Sequence, residues 1–208
     1  ALGCLDISLK QKLPFIHLVE SSGINLMNYT VEFWSNTGGM FYGLAKLSAA
    51  GIPTIAVLHG LSTAGGAYQP GMSDYVIGVK KNGMAALAGP ALLKAATGEI
   101  AKNEELGGSE MHSRVTGLVE YLADDDAHAI DIVRDLINKI DWNSKILKRE
   151  SIKFQEPIYD CGEIIGFVPI DYKVPYDVRE LIARIVDGSD FMDFKPQYGV
   201  STLSLIHI

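Results

Sequence analysis

Basic residues, cysteines and long apolar runs are all scarce in this chain of 208 residues, and each scarcity excludes something. Lys and Arg number 18 against 25 Asp and Glu, a net charge of −7. No block of them offers counter-charge to a nucleic-acid backbone or an anionic membrane surface, so neither is expected as a partner. Only Cys4 and Cys161 are present. They lack the paired spacings of a disulfide framework or a zinc site, which points to a reducing interior and not to secretion. No apolar run approaches the ~20 residues that cross a bilayer. The opening stretch ALGCLDISLKQKLP has no initiator Met and no basic-then-apolar signal layout, and it reads as a start within a longer protein. Prolines number 8 against 21 glycines, with 48% hydrophobic residues, a composition for a packed core with many tight turns. At roughly 150 residues per domain, the length suits one large domain, or one with part of a second.

Periodicity predicts an α/β organisation. LPFIHLVE, residues 13 to 20, is a short apolar run that opens into a turn, as a buried strand does. A helix follows between Tyr29 and Ala50, with Gly38-Gly39 expected to interrupt it and Gly51-Ile52-Pro53 to stop it. TIAVLHG, residues 54 to 60, is the next strand. Strand, helix, strand makes a crossover with both strands parallel and their C-terminal loops on one edge. YVIGV (75 to 79) and MAALAG (84 to 89) read as two further strands around a Lys80–Gly83 turn, before a short helix PALLKAAT. A helix over about 125 to 140 places Ile130, Val133, Ile137 and Ile140 on one face, with Asp124 or Asp125 as its cap.

Domain boundaries are expected as follows. Residues 1 to 142 form an N-terminal domain incomplete at its start, the polar and basic stretch at 143 to 156 a linker, and 157 to 202 the beginning of a second domain. In the latter, PIYD and GEIIGFV read as a strand pair. Pro175-Tyr176-Asp177 then starts a helix with Leu181, Ile182, Ile185 and Val186 inward. The final six residues, LSLIHI (203 to 208), resemble translated sequencing adapter and are set aside.

Chemistry concentrates in HGLSTAGGAYQP, His59 to Pro70, at the end of a buried strand. Adjacent Gly65 and Gly66 let the backbone turn sharply and approach a ligand with no Cβ in the way. The first amides of a helix starting there lack intrahelical partners and can hold a developing negative oxygen. Such a donor is worth ~10²–10³ in rate. On the glycines alone, a plain strand-to-helix turn is the favoured reading.

The longer segment STAGGAYQPGMSDYVIGV resembles the acyl-CoA carboxylase carboxyltransferase family, the β-type subunit of biotin-dependent carboxylases, and within it the methylcrotonyl- and geranyl-CoA type. VESSGINL resembles the family's acidic-Ser-Gly-Gly turn, although Ser22 stands where a first glycine is often found. AGPALLKAATGEIAKNEELGG, with His112 after it, resembles the next signature. PIYDCGEIIGFVP and VPYDVRELIARIVDGSDFMDF resemble the opening of the family's C-terminal domain.

The resemblance implies a crotonase-like fold, with an N-terminal domain plus the start of a second, similar domain. It implies transfer of a carboxyl group from carboxybiotin, carried on a partner protein, to the enolate of an acyl-CoA, with no metal in this subunit. By position, backbone amides at Gly65 and Gly66 are the catalytic groups, and Ser21, Ser22, Gly23, Ala64, Ala67, Tyr68 and Gly89 line the substrate. Decarboxylated biotin takes the substrate proton, so no protein base is needed. Partners would be a biotin carboxylase and biotin carrier subunit and further copies in a hexamer, in bacterial cytoplasm or mitochondrial matrix. The biotin half of the site would lie past residue 202.

Three other readings compete. A crotonase-type hydratase or isomerase needs carboxylate acid and base groups, for which Glu99, Glu104 and Glu105 are candidates. Ser62 with His59 or His112 could suggest a serine hydrolase, but GLSTAG is not the nucleophile elbow. A non-catalytic scaffold is the third. Within the resemblance, a propionyl- or acetyl-CoA carboxylase β subunit is the alternative substrate class.

Overall fold

A computed structural model describes residues 2–21, 27, 30–142, 154–171 and 173–200. The chain divides into two compact units, one of Ala1–Asn138 with Phe194–Gly199 and one of Lys139–Asp193 with the chain end.

The first unit is α/β. Helix α1 (Leu2–Gln11) leads to strand β1 (Phe15–Ser21), helix α2 (Val31–Ala49) and strand β2 (Thr54–Thr63). A 3-10 turn (Ala64–Ala67) and helix α3 (Tyr68–Gly71) precede strands β3 (Tyr75–Val79) and β4 (Met84–Ala86). Then come helices α4 (Pro90–Thr97), α5 (Asn103–Gly107) and α6 (Ser109–Met111), strand β5 (Tyr121–Ala123) and helix α7 (Asp126–Ile140). The sheet runs β1-β2-β3-β5, all parallel, with β4 also on β2.

β2 is the central strand, and Thr54 to Leu58 are buried on both faces, which is why its sequence is continuously apolar and not alternating. Its register explains its length. Ile55 to Leu58 pair with Tyr75 to Gly78 of β3, and Leu61 to Thr63 with Met84 to Ala86 of β4. The second partner carries β2 three residues past the expected end at Gly60. β3 and β4 run in the same direction along one partner, so they are successive lengths of an interrupted strand and not two arms of a hairpin. Between them Lys81 adopts a left-handed φ of 65°. Gly83 admits close approach, because a Cβ there would lie 2.2 Å from Leu58 O and 2.3 Å from Ser109 Oγ.

The expected break at Gly38-Gly39 does not occur: α2 is continuous. The cost of each glycine, ~1 kcal/mol, is set against helix packing, since a Cβ on Gly39 would sit 3.2 Å from Leu2 and one on Gly43 2.6 Å from Leu5. The bare backbone lets α1 lie close. Thr30 caps α2 by accepting from Phe33 N at 3.1 Å, and Gly51 ends it with a φ of 66°. Asp125 caps α7, accepting from His128 N at 2.8 Å, while Asp124 pairs with Lys80 at 2.5 Å. The buried stripe of α7 is Ala129, Val133 and Leu136. Ile130 and Ile137 flank that stripe and do not centre it as expected.

In the second unit the expected strand pair is absent. Cys161–Glu163 form a 3-10 turn that runs into helix α8 (Ile164–Phe167). Ile158 and Ile165 are exposed, and two short strands with no sheet to join are marginal. Asp177 caps helix α9 (Val178–Ile182) as expected, but the helix is short. Its neighbour Ile185 points outward, and Arg184 is buried instead. That guanidinium reaches Glu163 at 2.8 Å and Glu180 at 2.9 Å, between the rings of Tyr159 and Phe167. Charge pairing and ring contact let it displace an apolar side chain. Most of the expected linker, and residues 203 to 208, lie outside the described residues.

Candidate active site

Because the strands are parallel, the ends of β1, β2 and β4 share one edge. Ser21 closes β1, and it stands opposite Ser62 after a register shift. Thr63 closes β2, and Ala64 turns the chain with a φ of 52°, a left-handed conformation that costs a residue with a Cβ ~1–2 kcal/mol. Gly65 and Gly66 follow in the 3-10 turn, and Tyr68 N donates to Gly66 O as α3 begins. The first amides of such a turn precede any carbonyl that the turn itself could offer.

The two glycines differ. Gly65 is exposed and Gly66 buried, and neither has a positive φ. Gly66 is required for room: a Cβ there would lie 2.8 Å from Ser21 Cβ and 3.1 Å from Ser21 Oγ. A Cβ on Gly65 would meet only Phe41 Cζ, at an ordinary 3.6 Å. Ala67 packs on the core cluster of Val19, Ala56, Leu58, Val76, Ala85 and Val119, and Tyr68 is exposed. Thus Ser21, Ala64, Gly65, Gly66, Ala67 and Tyr68 come together. Gly89, the N-cap of α4, follows β4 by three residues on the same edge. Ser22 and Gly23 lie outside the described residues.

The competing candidates have other occupations. Ser62 Oγ is buried without a hydrogen-bond partner among the described residues, so none of them is placed to activate it. His112 is held at both nitrogens, Nε2 on Ala85 O at 2.7 Å and Nδ1 on Thr116 Oγ1 at 2.7 Å. His59 Nδ1 stands 3.8 Å from Asp126. Glu99, Glu104 and Glu105 are exposed, and Glu105 accepts from Lys102 N at 3.4 Å at the start of α5. Gly107 and Gly108 of the same signature are packing positions, where a Cβ would meet Ala85 O at 2.3 Å and Glu104 O at 2.7 Å.

Residue-by-residue reading missed His17, which supports the turn from below. Ser73 Oγ donates to Gln69 O at 2.9 Å and so accepts from His17 Nε2 at 3.0 Å, tying β1 to the end of α3. His17 Nδ1 is buried without a partner among the described residues, and burial pushes the imidazole pKa down to about 4. The signal was a lone histidine inside the apolar run PFIHLV.

The edge geometry can be set beside known proteins. The carboxyl transferase domain family matches residues 3–204. The chain belongs to that family. Among curated relatives of this carboxyl transferase chain, a probable biotin-dependent acyl-coenzyme A carboxylase beta2 subunit of Mycobacterium tuberculosis is 48% identical, over 96% of this chain and 37% of its own length. The mitochondrial methylcrotonoyl-CoA carboxylase beta chain of Arabidopsis thaliana is 41% identical, over 96% and 35%. Among solved structures, a transcarboxylase 12S with hydrolysed methylmalonyl-coenzyme A bound, described as a hexamer assembly, aligns with a TM-score of 0.82 at 32% identity, over 96% of this chain and 39% of that one. The geranyl-CoA carboxylase beta subunit of P. aeruginosa aligns with a TM-score of 0.61 at 45% identity, over 94% and 36%. The crotonase-like α/β fold expected from the resemblance is thereby borne out. This chain spans less than two fifths of the length of these relatives.

Proposed function

We propose that this chain is part of the carboxyltransferase component of a biotin-dependent acyl-CoA carboxylase, and that the turn Ala64–Ala67 holds the thioester oxygen of its acyl-CoA. The observation that carries this reading is the pairing of an exposed Gly65 with a buried Gly66 pressed against Ser21, at the C-terminal edge of a parallel sheet. The backbone amides withdraw electron density from the thioester carbonyl, which acidifies the adjacent carbon and stabilises the enolate formed from it. Ser21 and Ala64 set the direction of those amides, one by contact and the other by its torsion. When bound, carboxybiotin supplies the carboxyl group. No described residue marks a holder for the biotin ring, so no step is assigned to this chain there. No residue of this chain is assigned as a base.

The substrate proposed is a branched, unsaturated acyl-CoA such as 3-methylcrotonyl- or geranyl-CoA. Identity supports it: 41% and 43% to relatives named for methylcrotonyl-CoA, against 34% to the methylmalonyl-CoA carboxyltransferase 12S subunit of Propionibacterium freudenreichii. We further propose residues 1–142 and 157–202 as parts of an N-terminal and a C-terminal domain. The partners proposed are a biotin carboxylase and carrier subunit, with six copies of this subunit in a bacterial cytoplasm or mitochondrial matrix. Among the described residues no His, Cys, Asp and Glu cluster could hold a metal, and no helix is long and apolar enough to cross a membrane.

The test is carboxylation by the full-length subunit with its biotin-carrying partner. Faster turnover of 3-methylcrotonyl- or geranyl-CoA than of acetyl- or propionyl-CoA is expected. A preference for propionyl-CoA overturns the substrate class, and hydration of an enoyl-CoA without biotin overturns the reaction.

A further inference from the structure

α2 faces the sheet through Leu44 and Leu47, both fully buried. Phe41, one turn earlier, continues that stripe to where it meets the glycine turn, and there it is only half-buried. A Cβ added at Gly65 would lie 3.6 Å from its ring tip, and its plane stands edge-to-face with Tyr68, centroids 5.7 Å apart at 89°. Tyr68 is 54% exposed and Gly65 is exposed. Two rings therefore meet at a right angle beside the exposed glycine and keep an open apolar surface. Edge-to-face pairing is worth ~0.5–1.5 kcal/mol beyond area burial and holds the rings in one orientation. A fixed apolar surface at this point has a use if something flat and apolar lies against it.

We infer that Phe41, braced by Tyr68, is a specificity-determining residue that packs against the acyl group of the bound thioester and selects for a planar, branched chain. This rests on the reading of the turn as the thioester site. Holding the oxygen at the amides of the turn fixes where the α- and β-carbons run. The paired rings of Phe41 and Tyr68 offer them an apolar surface beside the turn. A planar sp² chain keeps contact along its length with a flat wall, whereas a two- or three-carbon acyl group leaves most of that wall wet.

The experiment uses the full-length subunit with its biotin-carrying partner. It compares Phe41→Ala, Phe41→Leu and, as a control, Tyr42→Ala. Tyr42 is exposed and stacks under Lys46. kcat/KM is measured for acetyl-, propionyl-, 3-methylcrotonyl- and geranyl-CoA, and the Kd of each acyl-CoA for the subunit alone by calorimetry. Phe41→Ala is expected to reduce selectivity for the branched unsaturated over the short substrates by about 10-fold or more, with the Kd ratio moving the same way. Phe41→Leu should retain part of it, and Tyr42→Ala all of it. Selectivity that is kept, or activity lost equally for every substrate, overturns the inference. If Phe41→Ala does not fold, Phe41→Leu decides on the same criterion. A parent enzyme that transfers carboxyl to none of the four defeats the thioester reading itself, an outcome distinct from unchanged selectivity.

Discussion

Gly65 and Gly66 are adjacent, but one is free to gain a side chain and the other is not. Gly66→Ala must move Ser21 Cβ from a 2.8 Å contact, and because that atom is the root of a strand residue, the end of β1 moves with it. Denaturant titration of Gly66→Ala should show a loss of ~1–3 kcal/mol, with Gly65→Ala within about 0.5 kcal/mol of the parent. If the turn holds the thioester as proposed, carboxyl transfer in folded Gly66→Val should fall by at least ~10²; near-normal turnover returns the pair to an ordinary turn. Ser62 gives the opposite expectation. Its buried hydroxyl has no partner among the described residues, and an unpaired buried hydroxyl costs ~1–3 kcal/mol. Ser62→Ala should therefore be neutral or stabilising in the same titration and retain turnover. A dead but folded Ser62→Ala would mean that the hydroxyl acts in the reaction.

The elements hold the turn through β1 and α3 as much as through β2. His17 on β1 donates from Nε2 to Ser73 Oγ, which in turn donates to Gln69 O of α3. Its pKa is lowered from 6.5 to about 4 by burial. A depressed pKa contributes stability that is complete above the unfolded value of 6.5 and is lost as pH falls toward 4, by ~3 kcal/mol over the whole window. His17→Gln, which can still donate to Ser73, should flatten the fall in unfolding free energy between pH 7 and 4.5; an unchanged slope would assign the loss to other groups. This dependence was hidden in the sequence, where a single polar residue in PFIHLV reports neither tautomer nor partner. β3 and α4 were readable at the ends observed, because apolar runs and Gly/Pro punctuation act locally. The direction of β4 was not, since it depends on β2 having an unpaired length past Gly60. The continuity of α2 was hidden for the same reason: Gly38-Gly39 looks like a break until Leu2 is found above it. The glycine turn was visible as composition, but the reason for Gly66 lies on β1, some forty residues earlier.

At the scale of the whole molecule, the chain does not leave the first unit for good at Asn138. Residues 194–199 follow the second unit in sequence and belong to the first. Their attachment is electrostatic. Lys195 Nζ stands 3.2 Å from Glu120 Oε1 and also donates to Gly117 O, while Glu120 Oε2 accepts from Val76 N at 2.6 Å, and the ring of Tyr198 covers Gly117. Glu120 is 8% exposed, and burial raises its pKa above the usual carboxylate range, with the Val76 amide and Lys195 opposing that rise. A raised carboxyl favours the folded state below the unfolded pKa and loses that advantage as pH rises through the folded one. Removing the cation moves the folded pKa further up, so the damage must grow with pH. Lys195→Met in the full-length subunit should cost up to ~3 kcal/mol at pH 8, and that cost should shrink toward pH 4.5, as the buried carboxyl takes up a proton. Adding Glu120→Gln to Lys195→Met removes the charge that was left unpaired and should restore part of the stability at pH 8. Chemical denaturation of the parent, the single and the double variant at both pH values distinguishes the cases. A penalty independent of pH would mean that the segment is held by Tyr198 and backbone contacts, with the ion pair incidental.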